Sequence, residues 1–552
     1  MNKGKWLFFH GLVLLLVLGC SGEDDISLSD PEPQLTAIHV SETELVLPPG
    51  GSVSVSFTVN APSYAFNYTV SSSDCQVRLM QAGGVVPVGF RLTEIIPGEV
   101  KGAYSATLTD TGTGAVYEQQ VCLAIAERNP DTGAESLVSS SYFTVRSEKK
   151  YAELTLDTGL PVVYVETEDR KEVVSKTDYL PATLYIRGTE KYDDTQPLPC
   201  EVRGRGNTTW SWPKKPYLIR LETREPLLGM QKHKRWVLLA NFMDRTLMRN
   251  LVSMKVSSMT SLAWTPSCVP VELVLNGKHR GSYLLIEQVR VDENRVAVAE
   301  MTPEDNAGDA VTGGYLLELD FHFDNQVQWI DPHGRNGQWG NGIPFAVKYP
   351  DPDDLTSQQE AYIKKYVSAA ASVLYGENFK DPEKGYAAYL DVDSFIDYWI
   401  VFEVMGNHEL GNPGSVFLHK DRGGKLVAGP CWDFDWGVLS YATSPQARTG
   451  LVNGKAIWYG RLFQDPAFKA RVKARFEELL PQLETIPDYI DACEEMLEAS
   501  ARLNFAMWNP AEDASQNGGW IINGDERMSF TSAVARLKSI YRDRLRVIPE
   551  NL

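Results

Sequence analysis

The chain has 552 residues, and 43% of them are hydrophobic and 10% aromatic, so apolar side chains are ample for folded cores. This length exceeds one ordinary core, and we expect roughly two to four domains. The formal net charge is −19, from 53 basic and 72 acidic side chains. Such a charge repels a phosphate backbone, which argues against nucleic acid as a partner.

The first twenty residues have the pattern of a secretory signal. Lys3 and Lys5 precede an apolar stretch over residues 6–18, which is too short for a stable membrane span. The ending Val-Leu-Gly-Cys resembles the lipobox of bacterial lipoproteins, and this implies that Cys20 becomes the lipidated first residue of the mature protein. An ordinary signal peptide with a chance cysteine is the alternative.

The segment after Cys20 predicts a solvated tether. Residues 21–34, SGEDDISLSDPEPQ, carry five acidic side chains, no basic one and two prolines. The start SGEDD resembles the acidic surface-export signal of bacterial lipoproteins. We therefore expect attachment to the outer membrane through a lipid anchor at Cys20, at the cell surface.

Residues 35–147 have the texture of a β-module. Short alternating runs, for example at 52–59 and 104–108, are separated by turns that contain Gly and Pro. Several short strands at close spacing predict a β-sandwich of immunoglobulin-like type, with the role of a spacer rather than of a ligand-binding module. Cys75 and Cys122 are the two cysteines that could pair within it, and the sequence leaves that disulfide open.

Residues 151–552 change from strands and hairpins to helices, which predicts a two-lobed α+β domain. A hairpin over residues 271–291 turns at Asn276-Gly277, and a shorter strand pair is expected at 415–434. Asp393 is the predicted N-cap of one helix. Apolar spacing places helices at residues 245–259, 358–374, 393–404, 468–480 and 529–545.

A Gly-rich basic turn follows one of these strands. The stretch RGRGN carries Arg203 and Arg205, and Lys214 and Lys215 come shortly after it. Glycines let backbone N–H groups approach an anion, and Arg and Lys supply charge that matches phosphate. An ordinary turn is the alternative, because the spacing matches neither GxGxxG nor the Walker loop.

Several carboxylates occur within apolar strands. They are Glu287, Glu318 and Asp320, and a buried carboxylate is costly unless a cation or hydrogen bonds satisfy it. Each is therefore a candidate partner for the basic residues, with an exposed strand end as the alternative.

The stretch GPCWDFDWG, residues 429–437, places Asp433 and Asp435 one residue apart. On a β-strand the two side chains would project from the same face. A polar loop before it holds Glu409 and Asn412. Hard oxygen ligands with one further carboxylate are what a Mg²⁺-nucleotide site requires. From the residues alone, a polar loop beside a solvated strand edge explains the pattern equally well.

Taken together, these stretches resemble the spore-coat protein H (CotH) kinase family over residues 155–545. The shared motifs in this chain are RGRGNTTW with PKKPY, LLAN, LNG with GSYL and EQ, and GPxWDFD. The resemblance implies an atypical protein-kinase-like fold that binds ATP with Mg²⁺ or Mn²⁺. It also implies transfer of the γ-phosphoryl group to Ser or Thr of secreted or surface proteins, although the sequence names no particular acceptor.

The resemblance also assigns roles to residues. Asp433 and Asp435 would hold the metal, with Asn412 as a further ligand, and Glu409 and Asp433 would be catalytic. ATP would be contacted by Arg203, Arg205, Glu287 and either Lys214 or Lys215, with Arg220 as the alternative to the lysines.

One position departs from the family pattern. Many relatives carry Asn-x-Asp where this chain has Asn-His-Glu, ending at Glu409. The extra methylene can displace the carboxylate by about an ångström, which can reduce a rate roughly a hundredfold. The alternative function is therefore a weak or inactive surface adhesion protein, whose tryptophans hold a glycan or a partner. Glycoside hydrolysis ranks last, because the two aspartates lie on one wall.

Overall fold

The computed structural model describes residues 37–48, 51–60, 71–72, 75–80, 90–110, 118–128, 135–147, 156–322, 327–335, 341–510 and 522–552. The predicted signal, Cys20 and the tether lie outside these residues. Within the described ranges, no helix is both long enough and apolar enough to cross a membrane.

The N-terminal part consists of two β-sheets with a common core. One sheet has the order β1-β3-β7-β6 and the other β2-β9-β8-β5-β4. Apolar side chains from both sheets, among them Phe57, Leu108, Leu123 and Phe143, form a single buried cluster. The described strands β1–β9 are Ala37–Val40, Glu44–Leu47, Ser52–Asn60, Ser71–Ser72, Cys75–Met80, Phe90–Pro97, Ala103–Asp110, Glu118–Arg128 and Glu135–Ser147.

The disulfide that the sequence left open does not form here. Cys122 is a buried free thiol. In the pairing of β5 with β8, Cys122 lies opposite Met80, whereas Cys75 lies opposite Glu127. Five residues at about 3.3 Å each separate the two cysteines along the strands, which is well beyond the Cα separation that a disulfide bridges.

The next seven strands close into a barrel in the order β10-β11-β12-β13-β14-β16-β15. Parallel pairing of β10 with β15 completes it. Buried side chains such as Ile219, Trp236 and Leu273 fill its interior. The predicted turn is confirmed, since Asn276 and Gly277 both have positive φ, as a two-residue hairpin turn requires. Strands β10–β16 are Val162–Thr167, Leu180–Arg187, Leu198–Gly204, Tyr217–Glu225, His233–Leu239, Cys268–Leu275 and Lys278–Glu287.

The C-terminal half packs against the outer face of the barrel. Leu218 and Val237 of the barrel share one core with the following sheet and helices. That sheet has the order β18-β19-β17-β20-β21. Strands β17–β21 are Tyr315–Leu319, Gln328–Arg335, Asn341–Tyr349, Val416–Lys420 and Leu426–Ala428. The described helices α1–α8 are Thr208–Ser211, Arg249–Ser257, Ser357–Tyr375, Val392–Val404, Tyr459–Leu462, Pro466–Leu483, Ile486–Met507 and Phe530–Asn551.

The predicted mixture of strands and helices is confirmed, with local corrections. Helix α4 is capped by Asp391, whose side chain accepts the Ser394 N–H, so the prediction of Asp393 as the cap was wrong. Helix α2 begins four residues later than expected, because the carboxylate of Asp244 accepts the N–H groups of Thr246 and Arg249 and holds the intervening turn. Helix α7 was not predicted at all.

Candidate functional site

The two aspartates lie in an irregular loop rather than on a strand. Strand β21 ends at Ala428, and Asp433 has a φ of +61°. The expectation of a same-face pair on a strand was therefore wrong. The left-handed backbone at Asp433, which Asp adopts more readily than most residues, turns the chain so that the two carboxyl groups hydrogen-bond to each other.

Buried amides fix this loop from two distant parts of the chain. The Phe434 N–H donates to Asn250 Oδ1 of α2 at 2.7 Å. Asn523 accepts the Gly437 N–H at 2.9 Å and donates to the Asp435 carbonyl at 3.2 Å. Because each of these bonds is made to the backbone, none of them depends on the protonation of the aspartates.

A buried ion network supports the same region. Arg249 is paired with Asp244 and, at 2.5 Å, with Asp525, and its Nε donates to the Val438 carbonyl at 2.8 Å. Two carboxylates thus occupy the guanidinium of Arg249. Its role is to join α2 and the C-terminal segment to the acidic loop.

Glu409 lies close to the aspartates. Its N–H donates to Asn407 Oδ1 at 2.8 Å, which fixes the short turn that carries it. Burial, followed by the charges of Asp433 and Asp435, raises the pKa of Glu409 well above its usual range. Glu409 Oε2 and Asn412 Oδ1 are both buried with no hydrogen-bond partner in the described structure. Two buried oxygen atoms of this turn are thus left without a donor.

The site carries an excess of negative charge. Burial raises the pKa of Asp433 and, together with the neighbouring Asp433, raises that of Asp435 far more. Asp320 adds to the field at Asp433. Arg205 faces both aspartates and Glu318, and its guanidinium lies 5.6 Å from the centre of the Trp432 ring.

Arg205 follows the barrel strand β12, whereas the carboxylates belong to the C-terminal half. The site therefore lies where the two parts of the domain meet. The CotH kinase protein family matches residues 202–548, which is more than half of the chain and includes every residue of this site. The chain belongs to the CotH kinase family. No curated protein matches it.

Membership of the CotH kinase family implies that ATP and a divalent metal bind. The oxygen atoms of the acidic loop are suitable ligands for a hard cation. Among the described residues, no group of three or more His, Cys, Asp or Glu side chains has the geometry to hold a metal ion. Mg²⁺ in phosphoryl-transfer sites is usually held by one or two carboxylates together with water and substrate phosphates. Asp433, Asp435 and the unpartnered Asn412 Oδ1 match that limited set.

Lys214 does not lie at the group of carboxylates formed by Asp433, Asp435 and Glu409. Its side chain is buried, and Nζ donates to the carbonyls of Ala240 and Ser282 and to Asn504 Oδ1. Burial lowers its pKa to about 7. This location does not agree with the predicted contact between Lys214 and phosphate, because all three N–H groups of the ammonium already donate hydrogen bonds.

The other residues predicted to contact ATP lie in different surroundings. Lys215 donates to the Trp210 carbonyl at 2.7 Å and remains partly exposed. Glu287 accepts the Ser267 N–H at 2.8 Å, so it holds a neighbouring loop, and the charge that acts on it is that of Arg295. Arg203 lies 5.0 Å from the centre of the Tyr179 ring, and Arg220 is paired with Glu201.

Some functional residues were not anticipated. Ser415 hydrogen-bonds to Asp433, and Asn523 reaches the loop from 86 residues beyond Gly437. Ser415 lies three residues after Asn412, at the start of the predicted strand pair, so the sequence offered its hydroxyl as a candidate. Nothing in the local sequence marks Asn523. Four tryptophans were candidates for holding a glycan or a partner: Trp212 and Trp432 are buried, whereas Trp210 and Trp436 are partly exposed.

Proposed function

We propose that this protein is a phosphotransferase that moves the γ-phosphoryl group of ATP to a Ser or Thr hydroxyl of another protein. The observation that carries the proposal is the partly buried group of Asp433, Asp435 and Glu409 facing Arg205 across the junction of the two parts of the domain. Phosphoryl transfer requires carboxylates that hold a metal and, opposite them, a cation that contacts phosphate.

Each side chain has a role in this proposal. When bound, Mg²⁺ supplies positive charge that stabilises the phosphates and the transferring group. Asp433 and Asp435 would hold that cation, with Asn412 as a further oxygen ligand. Arg205 would donate to phosphoryl oxygens, since a guanidinium matches their geometry. The Trp432 ring beneath it limits where that guanidinium can point.

Glu409 would receive or orient the acceptor hydroxyl. Burial and the charges of Asp433 and Asp435 raise its pKa and so favour the protonated form of the carboxyl group. A general base must be unprotonated, so cation binding beside Asp433 and activation of Glu409 are linked. Glu409 would therefore act as a general base only when the cation is bound.

The replacement Glu409→Asp tests this role. Shortening the side chain restores the residue of many relatives, and we expect faster phosphoryl transfer, by up to about a hundredfold, with unchanged ATP affinity. The initial rate with labelled ATP and the dissociation constant from calorimetry measure the two effects. A rate that falls, with intact ATP binding, would show that the glutamate is the better fit to this site.

The nucleotide site is tested by isothermal titration of Mg²⁺-ATP. Wild-type protein should bind, and Asp435→Ala should lose measurable binding, because Asp435 would be one of the residues that hold the cation. Asp393→Ala is a matched control, since Asp393 is an exposed aspartate paired with Arg471. Absence of nucleotide affinity in the wild type would end the proposal.

We further propose lipid attachment at Cys20 in the outer membrane, facing the cell exterior, with the immunoglobulin-like β-module acting as a spacer. The lipobox-like ending, the acidic tether and the two N-terminal sheets support this arrangement. The acceptor would then be a secreted or surface protein. A fatty-acid label should enter the wild type but not Cys20→Ser, and surface proteolysis of intact cells should remove the kinase-like domain.

A further inference from the structure

A second pocket lies outside the acidic site. It is a cavity of about 230 Å³ on the barrel, formed by β13, β14 and the segment after β16. We call it the basic pocket. Five basic residues and one apolar residue line it: Arg224, His233, Lys234, Arg235, Arg290 and Val291. Such a concentration is unexpected in a chain with a net charge of −19.

Two of these side chains already have partners within the protein. Arg224 makes a two-pronged ion pair with Asp292, at 2.7 and 2.9 Å. His233 Nδ1 accepts the Arg235 N–H at 2.8 Å. Burial, and then the charge of Arg295, lowers the pKa of His233 to about 4, so it is neutral near pH 7. Neither side chain is available as a free charge.

The remaining three cations have no anionic partner. In the part of the chain that the structure describes, no carboxylate lies within 4.0 Å of Lys234, Arg235 or Arg290. Arg235 donates instead to the Tyr179 hydroxyl at 2.7 Å. Burial and then the neighbouring Arg235 lower the pKa of Arg290, and the charge of Asp351 opposes this shift without reversing it. Like charges held together in this way are stabilised when an anion enters.

The positive charge continues toward the acidic site. Arg203, Arg220 and Arg235 all lie over the Tyr179 ring, 5.0, 4.3 and 5.9 Å from its centre. Arg203 is near enough to both Arg205 and Arg290 to influence the charged state of each. A ligand in the basic pocket would therefore lie on the same side of the barrel as the acidic group.

We propose that the basic pocket binds a phosphoryl group through Lys234, Arg235 and Arg290. Two guanidinium forks match phosphate oxygens, and the lysine adds a point charge. The dianion could belong to a phosphorylated side chain of a polypeptide or to free phosphate. If it belongs to an acceptor that already carries one phosphate, the pocket would position the next hydroxyl; this extension rests on the proposed function, whereas the pocket itself does not.

Titration calorimetry and ³¹P NMR of the purified protein test the site, with inorganic phosphate, a phosphoserine peptide and its unphosphorylated form as probes. We expect saturable binding of the first two. Arg235→Gln and Arg290→Gln should each weaken it about tenfold, because each removes charge-assisted hydrogen bonds. Lys234→Gln, at an exposed position, should weaken it without affecting folding. Arg471→Gln, at an exposed ion pair, is the matched control and should bind like the wild type.

The outcomes separate the sources and the two sites. A phosphopeptide that binds more tightly than phosphate identifies a phosphorylated side chain, and equal affinity identifies free phosphate. Asp435→Ala should keep phosphate binding, and Arg290→Gln should keep Mg²⁺-ATP binding, so either site can fail alone. Absence of phosphate and phosphopeptide binding in the wild type, or binding unaffected in all three pocket variants, would overturn the proposal.

Discussion

Replacing Lys214 by methionine separates a structural role of this side chain from contact with phosphate. Lys214 is 1% exposed, and its Nζ donates to the Ala240 carbonyl at 2.7 Å, to the Ser282 carbonyl and to Asn504 Oδ1 at 2.8 Å. Methionine keeps most of the volume of the side chain but removes all three donors. The variant therefore tests the hydrogen bonds rather than the packing.

The expected loss is large. Removing the lysine leaves three buried acceptors without a donor, at about 1–3 kcal/mol for each. We therefore expect Lys214→Met to lower the free energy of unfolding by at least about 3 kcal/mol. Lys215→Met should lower it by less than about 1 kcal/mol, since a partly exposed side chain loses a single bond.

Urea unfolding followed by tryptophan fluorescence gives the stability of both variants, and calorimetry gives their affinity for Mg²⁺-ATP. Lys215→Met is the matched control because it removes an adjacent lysine. If Lys214→Met had wild-type stability and weakened ATP binding, Lys214 would contact phosphate and the reasoning from its three acceptors would be refuted.

Three further changes test other parts of the structure. Asn250→Ala leaves the buried Phe434 N–H unpaired, so calorimetry and melting should show weaker Mg²⁺-ATP binding and a loss of about 1–3 kcal/mol; an unchanged affinity would contradict the role of this bond in placing the aspartates. Gly204→Ala puts a methyl group into the Trp210 ring and should cost about 1–3 kcal/mol in urea unfolding, whereas wild-type stability would mean that the ring can move. His233 has a pKa of about 4 when folded, against 6.5 normally, so the unfolded chain binds more protons between these values. The free energy of unfolding should fall by about 2 kcal/mol at about pH 5 relative to neutral pH because of this group, and His233→Gln should lack that part of the fall.

Much of the fold follows from local sequence patterns. The turn at Asn276-Gly277 and the helix Ser357–Tyr375 were predicted because their signals lie within the element itself. Closure of the barrel depends on pairing of Val162–Thr167 with Cys268–Leu275, about a hundred residues later, and no local pattern reports it. Helix Ile486–Met507 was overlooked although its buried residues recur at helical spacing.

The site was predicted by residue type more accurately than by geometry. Asp433 and Asp435 stood out because of their chemistry and spacing, but their closeness comes from a left-handed backbone that alternation along a strand does not describe. Two adjacent lysines could not be distinguished by sequence, since only tertiary contacts bury Lys214. Asn523 comes from another part of the chain, and the fold alone brings it to the loop.

Phosphoryl transfer from labelled ATP tests the central claim most directly. The purified protein, with Mg²⁺ or Mn²⁺ and a Ser- and Thr-rich protein acceptor, should label itself or the acceptor. Asp435→Ala should give no label, and Asp393→Ala should match the wild type. A wild-type protein that transfers no label with either metal, or an Asp435→Ala variant that transfers it at the wild-type rate, would contradict the assignment of a phosphotransferase site to this acidic loop.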